Sequence, residues 1–319
     1  MTPVSVLPYT EAKSSDWDTF CVNASNATFL HTRRFLSHHG SRFEDASVCI
    51  VSEGRIVGVM PAARDPSDSS TVTSHPGITY GGLIATEWLT GARFLTAFDA
   101  VAQHYMKKGF TRLVYKVVPH IYHRRPAQDD LYALQRMGAR RYRTDLAAVI
   151  DLADRGTVSM RRLRGLRKAK TDGIIVEAGG VYLGKFWRVL ADNLASRHSL
   201  CPVHSQEEVA SLMDCMPNNI SLRVALVEDE VMAGVVLFDS LRVRHCQYIG
   251  TTEVGRRKGG LDAVFDHCIQ EATQCGLRFF SFGISTEAQG RVMNEGLHTF
   301  KSEFGASGIV HEFYEMSLA

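Results

Sequence analysis

The sequence has no long hydrophobic run and almost no net charge. Its apolar runs, such as VVLF at 235–238, are far shorter than the roughly 20 residues that span a bilayer, and its first twenty residues do not resemble a signal peptide. Lys and Arg total 36 against 34 Asp and Glu, so no overall field attracts a polyanion. We therefore expect a cytoplasmic protein that does not insert into membranes and does not bind DNA.

The seven cysteines are scattered along the chain. None of them has the spacing of a metal site, so we expect a reducing compartment and no bound metal. The sequence also lacks the Gly-x-Ser-x-Gly elbow of serine hydrolases, and the scattered cysteines offer no identifiable activated thiol. Covalent catalysis by serine or cysteine is therefore not expected.

The chain is long enough for two domains of about 150 residues each, with 319 residues of which 45% are hydrophobic. A hairpin pattern occurs twice, as ASVCIVSEGRIVGVMPAA in the first half and LRVALVEDEVMAGVVLFD in the second. A strand with several glycines follows each hairpin, HPGITYGGLI in the first copy and CQYIGTTEVGRRKGG in the second. The hairpin and the strand therefore recur in the same order.

The rest of each copy also recurs. An amphipathic helix ends at Gly109 or Gly276 and leads into the strands FTRLVYKVV or LRFFSFG, and a Gly-Ala turn at Gly138 or Gly305 precedes the last strand. Both glycine pairs have the same separation in sequence, as expected for a duplication. The predicted fold class is mixed α/β, with a central sheet flanked by helices in each copy.

We predict domains at residues 1–152 and 176–319, joined by a basic linker helix at 153–175. The cations of this helix are Arg161, Arg162, Arg164, Arg167, Lys168 and Lys170. The run is either a solvated helix face or a clamp for phosphates, because guanidinium groups bind phosphate bidentately.

A basic turn precedes the predicted helix of the second copy. It consists of Gly255, Arg256, Arg257, Lys258, Gly259 and Gly260. Free amides at a helix start attract anions, and glycine lets the backbone approach a pyrophosphate closely. We therefore predict that this turn binds a pyrophosphate, with a flexible loop and a solvated basic cap as the alternative.

Three stretches resemble a known group of proteins. FGISTEAQGRVMNEGLHTFKSEFGA, at 282–306, is similar to the C-terminal motif of GNAT-like proteins related to the Fem family of peptidoglycan-bridge aminoacyltransferases. MRRLRGLRKAKTDGIIVE resembles the basic helix of that group, and VPHIYHRRPAQDDLYALQRMGARR resembles its N-terminal half. The turn at 255–260 partly resembles the pyrophosphate loop of GNAT acyltransferases, but Leu261 stands where that loop has glycine or alanine.

The resemblance covers about residues 17–318 and implies two tandem GNAT-like domains with one site in the cleft between them. It implies an N-acyltransferase that uses acyl-CoA to acylate a nucleotide-linked amino sugar in surface-polysaccharide biosynthesis, with small molecules as partners. The first alternative is Fem-type transfer of an amino acid from aminoacyl-tRNA to a peptidoglycan precursor, although the heptad run of many Fem proteins is absent. The second is a non-catalytic binding module with the same fold. The sequence leaves oligomerisation open.

Direct attack of an amine on a thioester requires a proton acceptor and donors that stabilise the oxyanion. Glu287 is one candidate acceptor, because it follows the end of a predicted strand. His198, His204 and His245 are the others, and the first two are favoured because the stretch SRHSLCPVHS is poor core material.

Aromatic and polar residues are candidates for substrate binding, since they suit phosphates, sugars and bases. They are Tyr80, His120, Tyr122, His123, Arg164, Arg197, His245, Tyr248, Asn294 and Lys301. Leu297, Phe300 and Phe304 predict an apolar helix face that packs on the core and leaves Asn294 and Lys301 at its edge. Lys301 would then hold a phosphate or a carboxylate, with simple solvent exposure as the alternative.

Overall fold

The hairpins predicted from the repeated pattern are present in the computed structural model, which describes residues 3–198 and 202–318. The chain forms two units. Unit 1 comprises residues 1–146, 286–292 and 310–319, and unit 2 comprises residues 147–285 and 293–309. This division differs from the predicted boundaries, because the C-terminal residues belong to unit 1 and the predicted linker helix belongs to unit 2.

The strands are numbered in chain order. They are β1 (Ser5–Pro8), β2 (Val48–Ser52), β3 (Arg55–Met60), β4 (Ala63–Asp65), β5 (Asp68–Thr73), β6 (Ile84–Ala85), β7 (Arg112–Lys116), β8 (Arg140–Asp151), β9 (Ile175–Ala178), β10 (Ile220–Val227), β11 (Glu230–Asp239), β12 (Val243–Thr251), β13 (Phe279–Ile284), β14 (Thr286–Glu287), β15 (Val292–Met293) and β16 (Ser307–Ser317).

The α-helices follow the same convention. They are α1 (Ser14–Asn23), α2 (Arg33–Leu36), α3 (Ala92–Lys107), α4 (Asp129–Arg136), α5 (Met160–Thr171), α6 (Leu183–His198), α7 (Gln206–Cys215), α8 (Glu253–Lys258), α9 (Gly260–Gln274) and α10 (Glu295–Ser302).

Unit 1 contains an antiparallel sheet of order β1-β2-β3-β6, in which β2 and β3 form the predicted hairpin. Its other strands follow the order β4-β5-β7-β16-β8, with β5 parallel to β7 and β16 antiparallel to β7. Helix α3 packs on the core of this unit through an apolar face that includes Phe94, Phe98 and Val101.

Unit 2 has the strand order β8-β13-β12-β11-β10-β9. The neighbouring pairs β9–β10, β10–β11 and β11–β12 are antiparallel. The pair β12–β13 is parallel, which requires the crossover through α8 and α9. Phe265 on α9 packs edge-on against Phe282 at 5.0 Å, and Phe280 packs against Phe282 at the same distance. These rings form the centre of the core on one face of this sheet.

Glycine turns end the elements where the sequence predicts them. Gly109 and Gly276 close α3 and α9 with φ angles of 86° and 72°, and Gly138 and Gly305 precede β8 and β16 with φ angles of 70° and 86°. All four positions need the left-handed conformation that glycine adopts without strain. In the described ranges no helix combines the length and apolarity needed to cross a bilayer.

Two local predictions are wrong. HPGITYGGLI is mostly irregular and contributes only Ile84 to β6, because Gly81 and Gly82 pass close to Ser74 and Tyr115 instead of pairing in a ladder. The turn predicted at 255–260 is instead the end of helix α8, the residue Gly259 and the start of helix α9.

Candidate active site

The parallel strands β12 and β13 separate after a short ladder. Their pairing joins Val243–His245 to Phe279–Ser281, and in the described part of the chain it stops there, although β12 continues to Thr251. β12 stays with β11, while β13 meets β8 again at Ile284. Strands that diverge in this way leave backbone groups on their facing edges available to a ligand.

A bulge interrupts β12 just beyond this point. Cys246 pairs with Leu237 and Tyr248 pairs with Val236, so Gln247 has no partner residue on β11. A bulge takes the extra residue out of the ladder and redirects nearby groups, and bulges are common beside active sites. The backbone N–H groups around Gln247 are therefore candidates to bind an oxyanion.

Tyr248 and His204 form a polar pair at the bulge. The phenolic oxygen of Tyr248 lies 2.5 Å from Nδ1 of His204, and the ring of Trp187 packs against Tyr248 with centroids 5.2 Å apart. Burial raises the pKa of Tyr248, which keeps the phenol protonated at neutral pH. The segment that carries His204 leads into α7, whose capping box pairs Ser205 with Glu208.

His245 is the last residue of β12 that pairs with β13. Its Nδ1 lies 3.1 Å from the hydroxyl of Ser281, which is fully buried, and that hydroxyl accepts the backbone N–H of Gly283. Gly283 has a φ angle of 73°, and a Cβ there would lie 3.3 Å from the His245 ring. Glycine at 283 therefore allows both the local backbone turn and the position of the imidazole.

Lys301 lies inside unit 2 and is only 3% exposed, so simple solvent exposure is wrong, while its binding of a phosphate or a carboxylate stays a prediction. Its Nζ donates to the carbonyl oxygens of Gly283 and Ile284 at 3.1 and 2.6 Å, so it ties α10 to the end of β13. The buried ammonium is thus hydrogen-bonded to two backbone carbonyl groups at the irregular end of this strand. Burial lowers the pKa of Lys301 to about 8.

Asn294 caps helix α10. Its side chain accepts the backbone N–H of Leu297 at 3.0 Å, and its own N–H donates to the carbonyl of Ser285 at 2.9 Å. Leu297 is 39% exposed, so Phe300 of this helix and Phe304 just after it pack on the core without Leu297. Asn294 thus has a structural role that the sequence interpretation did not include.

Close packing explains the glycines of the predicted pyrophosphate turn. Thr252 caps α8 by accepting the N–H of Gly255 at 2.9 Å, and Gly259 ends the helix with a φ angle of 79°. Side chains at these positions would meet other parts of unit 2. A Cβ at Gly255 would collide with the Met232 carbonyl oxygen, one at Gly259 with the Gly165 carbonyl oxygen, and one at Gly260 would lie 3.1 Å from the Ala233 Cβ. The glycines therefore give no separate evidence for a phosphate site.

The predicted linker helix α5 packs against α8 and α9. Arg162 of α5 is buried, with NH1 2.9 Å from Asp262 and Nε 3.0 Å from Glu303. The other cations of α5 are exposed: Arg161, Arg164, Arg167, Lys168 and Lys170. Together with the exposed Arg256 and Arg257 of α8, they form a basic surface on unit 2.

The aromatic residues predicted to bind substrate in unit 1 are mostly internal. Tyr80, Tyr122 and His123 are only 4%, 3% and 2% exposed, and the two tyrosine rings pack at 4.5 Å. His120 is exposed, and it begins the short 3-10 helix that carries Tyr122. Three of these residues therefore stabilise unit 1, and their rings are not available for stacking on a base or a sugar.

Glu287 lies in β14, which pairs with β15 in a small hairpin, and its side chain is exposed. Its prediction as a proton acceptor stays a prediction. Arg197 and His198 end α6, and their side chains lie outside the described residues. In the residues that the structure describes, no group of three or more His, Cys, Asp or Glu side chains is arranged to hold a metal ion.

Three contributors to this site were missed from the sequence. The bulge at Gln247 depends on strand register, and the packing of Trp187 on Tyr248 depends on the position of α6. Ser281 was part of a predicted strand without a role of its own. A signal for it existed, since a serine between phenylalanines in a buried strand requires a hydrogen-bond partner.

Unit 2 therefore combines separated parallel strands, a bulged central strand and a helical crossover. Residues 134–301 match the family model described as an acetyltransferase (GNAT) domain. This match covers more than half of the chain, and the chain belongs to the GNAT acetyltransferase family. No curated protein matches the sequence.

Several solved structures share the fold. FemX has a TM-score of 0.69 at 10% identity, covering 98% of this chain and 96% of FemX. L-PGS from Bacillus licheniformis has a TM-score of 0.61 at 12% identity, covering 96% of this chain and 91% of that one. A tandem GNAT protein from the clavulanic acid biosynthesis pathway has a TM-score of 0.54 at 10% identity, with 99% of each chain covered. At these identities the similarity establishes the fold alone.

Proposed function

We propose that this protein is a cytoplasmic N-acyltransferase that transfers an acyl group from acyl-CoA to the amine of a nucleotide-linked amino sugar. One observation carries the proposal: the Gln247 bulge, the separation of β12 from β13 and the Tyr248–His204 pair all occur on or beside the same strand. An amide-containing donor arm can add to the open strand edge by hydrogen bonding, as peptides do at sheet edges. This assigns donor binding to the C-terminal domain predicted at 176–319.

The reaction requires the lone pair of the substrate amine to attack the thioester carbonyl carbon, which forms the C–N bond. The oxyanion that develops would be stabilised by backbone N–H groups at Gln247. The C–S bond then breaks, and Tyr248 gives its proton to the departing thiolate. The proton lost by the amine passes to His204, directly or through water, and restores the phenol through their hydrogen bond. The net proton transfer is from the amine to the thiolate.

The basic surface of α5 and α8 provides the charge for a phosphorylated ligand. Arg164, Arg256 and Arg257 are exposed there, and arginine is suited to bidentate contacts with phosphate. In this proposal the cations hold the donor diphosphate or the acceptor diphosphate. The glycines between them pack the helices together, and Lys301 and Asn294 shape the strand end.

The same surface favours a second candidate function, aminoacyl transfer from tRNA. The exposed cations of α5 extend the charge of α8 over two adjacent helices, which suits a polyanion better than a single diphosphate. A Fem-like fold is compatible with either donor, and a binding module without catalysis would use the same surface.

Calorimetric titration with CoA, acetyl-CoA, longer acyl-CoAs and aminoacyl-tRNA distinguishes these functions. We expect saturable binding of an acyl-CoA and release of free thiol when nucleotide-linked amino sugars are added. The alternative donor would be supported by tight tRNA binding without binding of acyl-CoA. The logarithm of the tRNA association constant would then fall linearly with the logarithm of the salt concentration. Binding of any of these ligands without turnover of any acceptor would support the binding module.

A further inference from the structure

Arg33 is a buried arginine with one side of its guanidinium unpaired. The residue is 7% exposed, and its NH1 lies 2.8 Å from Oδ2 of Asp45. The guanidinium carbon lies 3.4 Å from the ring centroid of Tyr9 and 4.4 Å from that of Trp17. Its Nε and NH2 are buried and have no hydrogen-bond partner among residues 3–198 and 202–318.

The two unpaired nitrogens form one edge of the guanidinium. Nε–H and one N–H of NH2 point in parallel, and together they can donate hydrogen bonds to two oxygens of a carboxylate or a phosphate. Leaving such donors buried without acceptors costs about 1–3 kcal/mol for each group. The cation of Arg33 is therefore incompletely satisfied in a way that matches one particular ligand geometry.

Two other buried arginines in the described ranges show what is missing. Arg162 lies between two carboxylates, those of Asp262 and Glu303, although its Nε makes an ion pair with Glu303 and no hydrogen bond. Arg244 also has two, since Asp239 binds its Nε and NH2 and Glu271 binds its NH1. Arg33 has only the carboxylate of Asp45. The position of a second carboxylate is open.

The other acidic groups nearby already have partners. Asp18 accepts the backbone N–H groups of Arg33 and Arg34 at 2.5 and 3.2 Å, which caps helix α2. Glu11 accepts the hydroxyl of Tyr9 at 2.9 Å. Neither acid makes a hydrogen bond to the unpaired edge of the guanidinium, and no other acceptor reaches it among the described residues.

A cavity of about 250 Å³ lies beside Arg33, within unit 1. His39, Phe43 and His75 form one wall, with ring centroids 5.0 to 5.4 Å apart. Burial lowers the pKa of His75 to about 3, so this ring is neutral at physiological pH. The cavity thus combines an aromatic wall with Arg33, whose Nε and NH2 have no partner, and its size suits a small molecule.

We propose that this cavity is a binding site for a small oxyanion, a carboxylate or a phosphate group, held by the Nε and NH2 edge of Arg33. The site belongs to unit 1 and is independent of the transfer reaction proposed for unit 2. The anion completes the second half of an ion-pair arrangement that Asp45 begins.

Titration at constant ionic strength tests the proposal. The full-length protein is titrated by calorimetry with sodium acetate and with inorganic phosphate, and sodium chloride keeps the ionic strength fixed. We expect saturable binding of at least one anion, and the stronger one identifies the source as planar carboxylate or tetrahedral phosphate. If neither anion binds saturably, the proposal is wrong.

Arg33→Lys keeps the charge but removes the fork, so it should weaken the binding by at least about tenfold. Arg162→Lys is the matched control in the other unit: it should lose stability and keep the anion affinity. Equal affinity in Arg33→Lys and the wild type would place the anion elsewhere, for example on α5 and α8, and would overturn the proposal.

Asp45→Asn gives a test that does not alter Arg33. It removes the negative charge that competes for the same guanidinium, so the anion affinity should rise above that of the wild type. An affinity that falls in Asp45→Asn would contradict the assignment of the anion to Arg33, even if Arg33→Lys does not fold.

Discussion

The phenolic oxygen of Tyr248 lies 2.5 Å from Nδ1 of His204, at the position where β12 has left β13. The two residues come from distant parts of the chain, and Trp187 holds the tyrosine ring from the side. A phenol kept protonated by burial and bonded to an imidazole can give up one proton and regain another without forming an isolated charge. This pair is therefore the group in unit 2 best suited to move a proton.

Replacing Tyr248 with phenylalanine should lower kcat by about 100-fold or more while leaving KM for acyl-CoA within a few fold. The change removes only the proton donor to the thiolate, and general acid catalysis contributes about 10²–10⁴ in rate. Release of free thiol under saturating donor measures the effect.

Tyr132→Phe is the control, because Tyr132 is 57% exposed in unit 1 and should retain full activity. His204→Gln combined with Tyr248→Phe should be little worse than Tyr248→Phe alone, since the two residues act as one unit. Effects that multiply in the double variant would show that they act separately.

Gly259→Ala should lower the free energy of unfolding clearly more than Gly276→Ala. Both glycines have similar φ angles, 79° and 72°, so alanine would have similar backbone strain at each position. At 259 the added Cβ also collides with the Gly165 carbonyl of α5, whereas at 276 nothing lies within 4 Å. We expect about 1 kcal/mol for Gly276→Ala and at least 2 kcal/mol for Gly259→Ala, measured by urea unfolding.

Binding of acyl-CoA by the same two variants tests the earlier interpretation of this segment. If Gly259→Ala is as stable as Gly276→Ala but binds the donor much more weakly, position 259 contacts the pyrophosphate after all. Loss of stability without a separate loss of affinity would confirm the packing explanation.

The sequence predicted the elements whose cause is local. The hairpin pattern and the glycines at 109, 138, 276 and 305 identify turns because left-handed backbone is needed at each of those positions. The order of strands and helices in the two copies followed from these signals. The extra hairpin of β4 and β5 was missed, because its short polar strands have no clear alternation.

The candidate site was less predictable because its chemistry depends on contacts over long distances. In the sequence, Gly255 and Gly259 resemble the glycines of a phosphate loop. In the structure, the carbonyl groups of Met232 and Gly165 occupy the space beside them. Lysine is usually exposed, and only the irregular end of β13 explains the burial of Lys301. A motif in the sequence specifies residue types, whereas the register of β12 and the packing of α5 decide which of them face a ligand.

Replacing Arg162 with methionine should lower the free energy of unfolding by about 3–5 kcal/mol. The change leaves the carboxylates of Asp262 and Glu303 facing each other without their shared cation, and an uncompensated buried charge is costly. Arg161→Met provides the control. Arg161 is 71% exposed, and its NH1 lies 3.8 Å from Glu303, which is a weak ion pair. That variant should stay within about 0.5 kcal/mol of the wild type. Equal losses in the two variants, measured by urea unfolding, would contradict the ion-pair explanation.

Lys301 should make the stability of the protein rise with pH between about pH 8 and pH 10.5. Its pKa is about 8 in the folded state, below the ordinary value of 10.5 that it regains on unfolding. Below pH 8 the amine is charged in both states, and the folded state bears the full cost of burying the charge. Between the two pKa values the unfolded state binds more protons, so raising the pH favours folding, and above 10.5 the cost is gone. The gain is on the order of 3 kcal/mol.

Lys301→Met isolates this contribution, because methionine fills similar space without an ionisable group. The difference in unfolding free energy between wild type and variant is measured by urea unfolding from pH 7 to pH 10.5, and other titrating groups cancel in that difference. We expect the wild type to gain stability relative to Lys301→Met as the pH rises, although the variant also loses the hydrogen bonds to Gly283 and Ile284 at every pH. The exposed Lys108, replaced by methionine, is the control and should stay within about 0.5 kcal/mol of the wild type. A constant difference across the range would mean that the ammonium of Lys301 is solvated in the folded protein, and it would return this residue to the edge of α10, where a phosphate or a carboxylate can reach it.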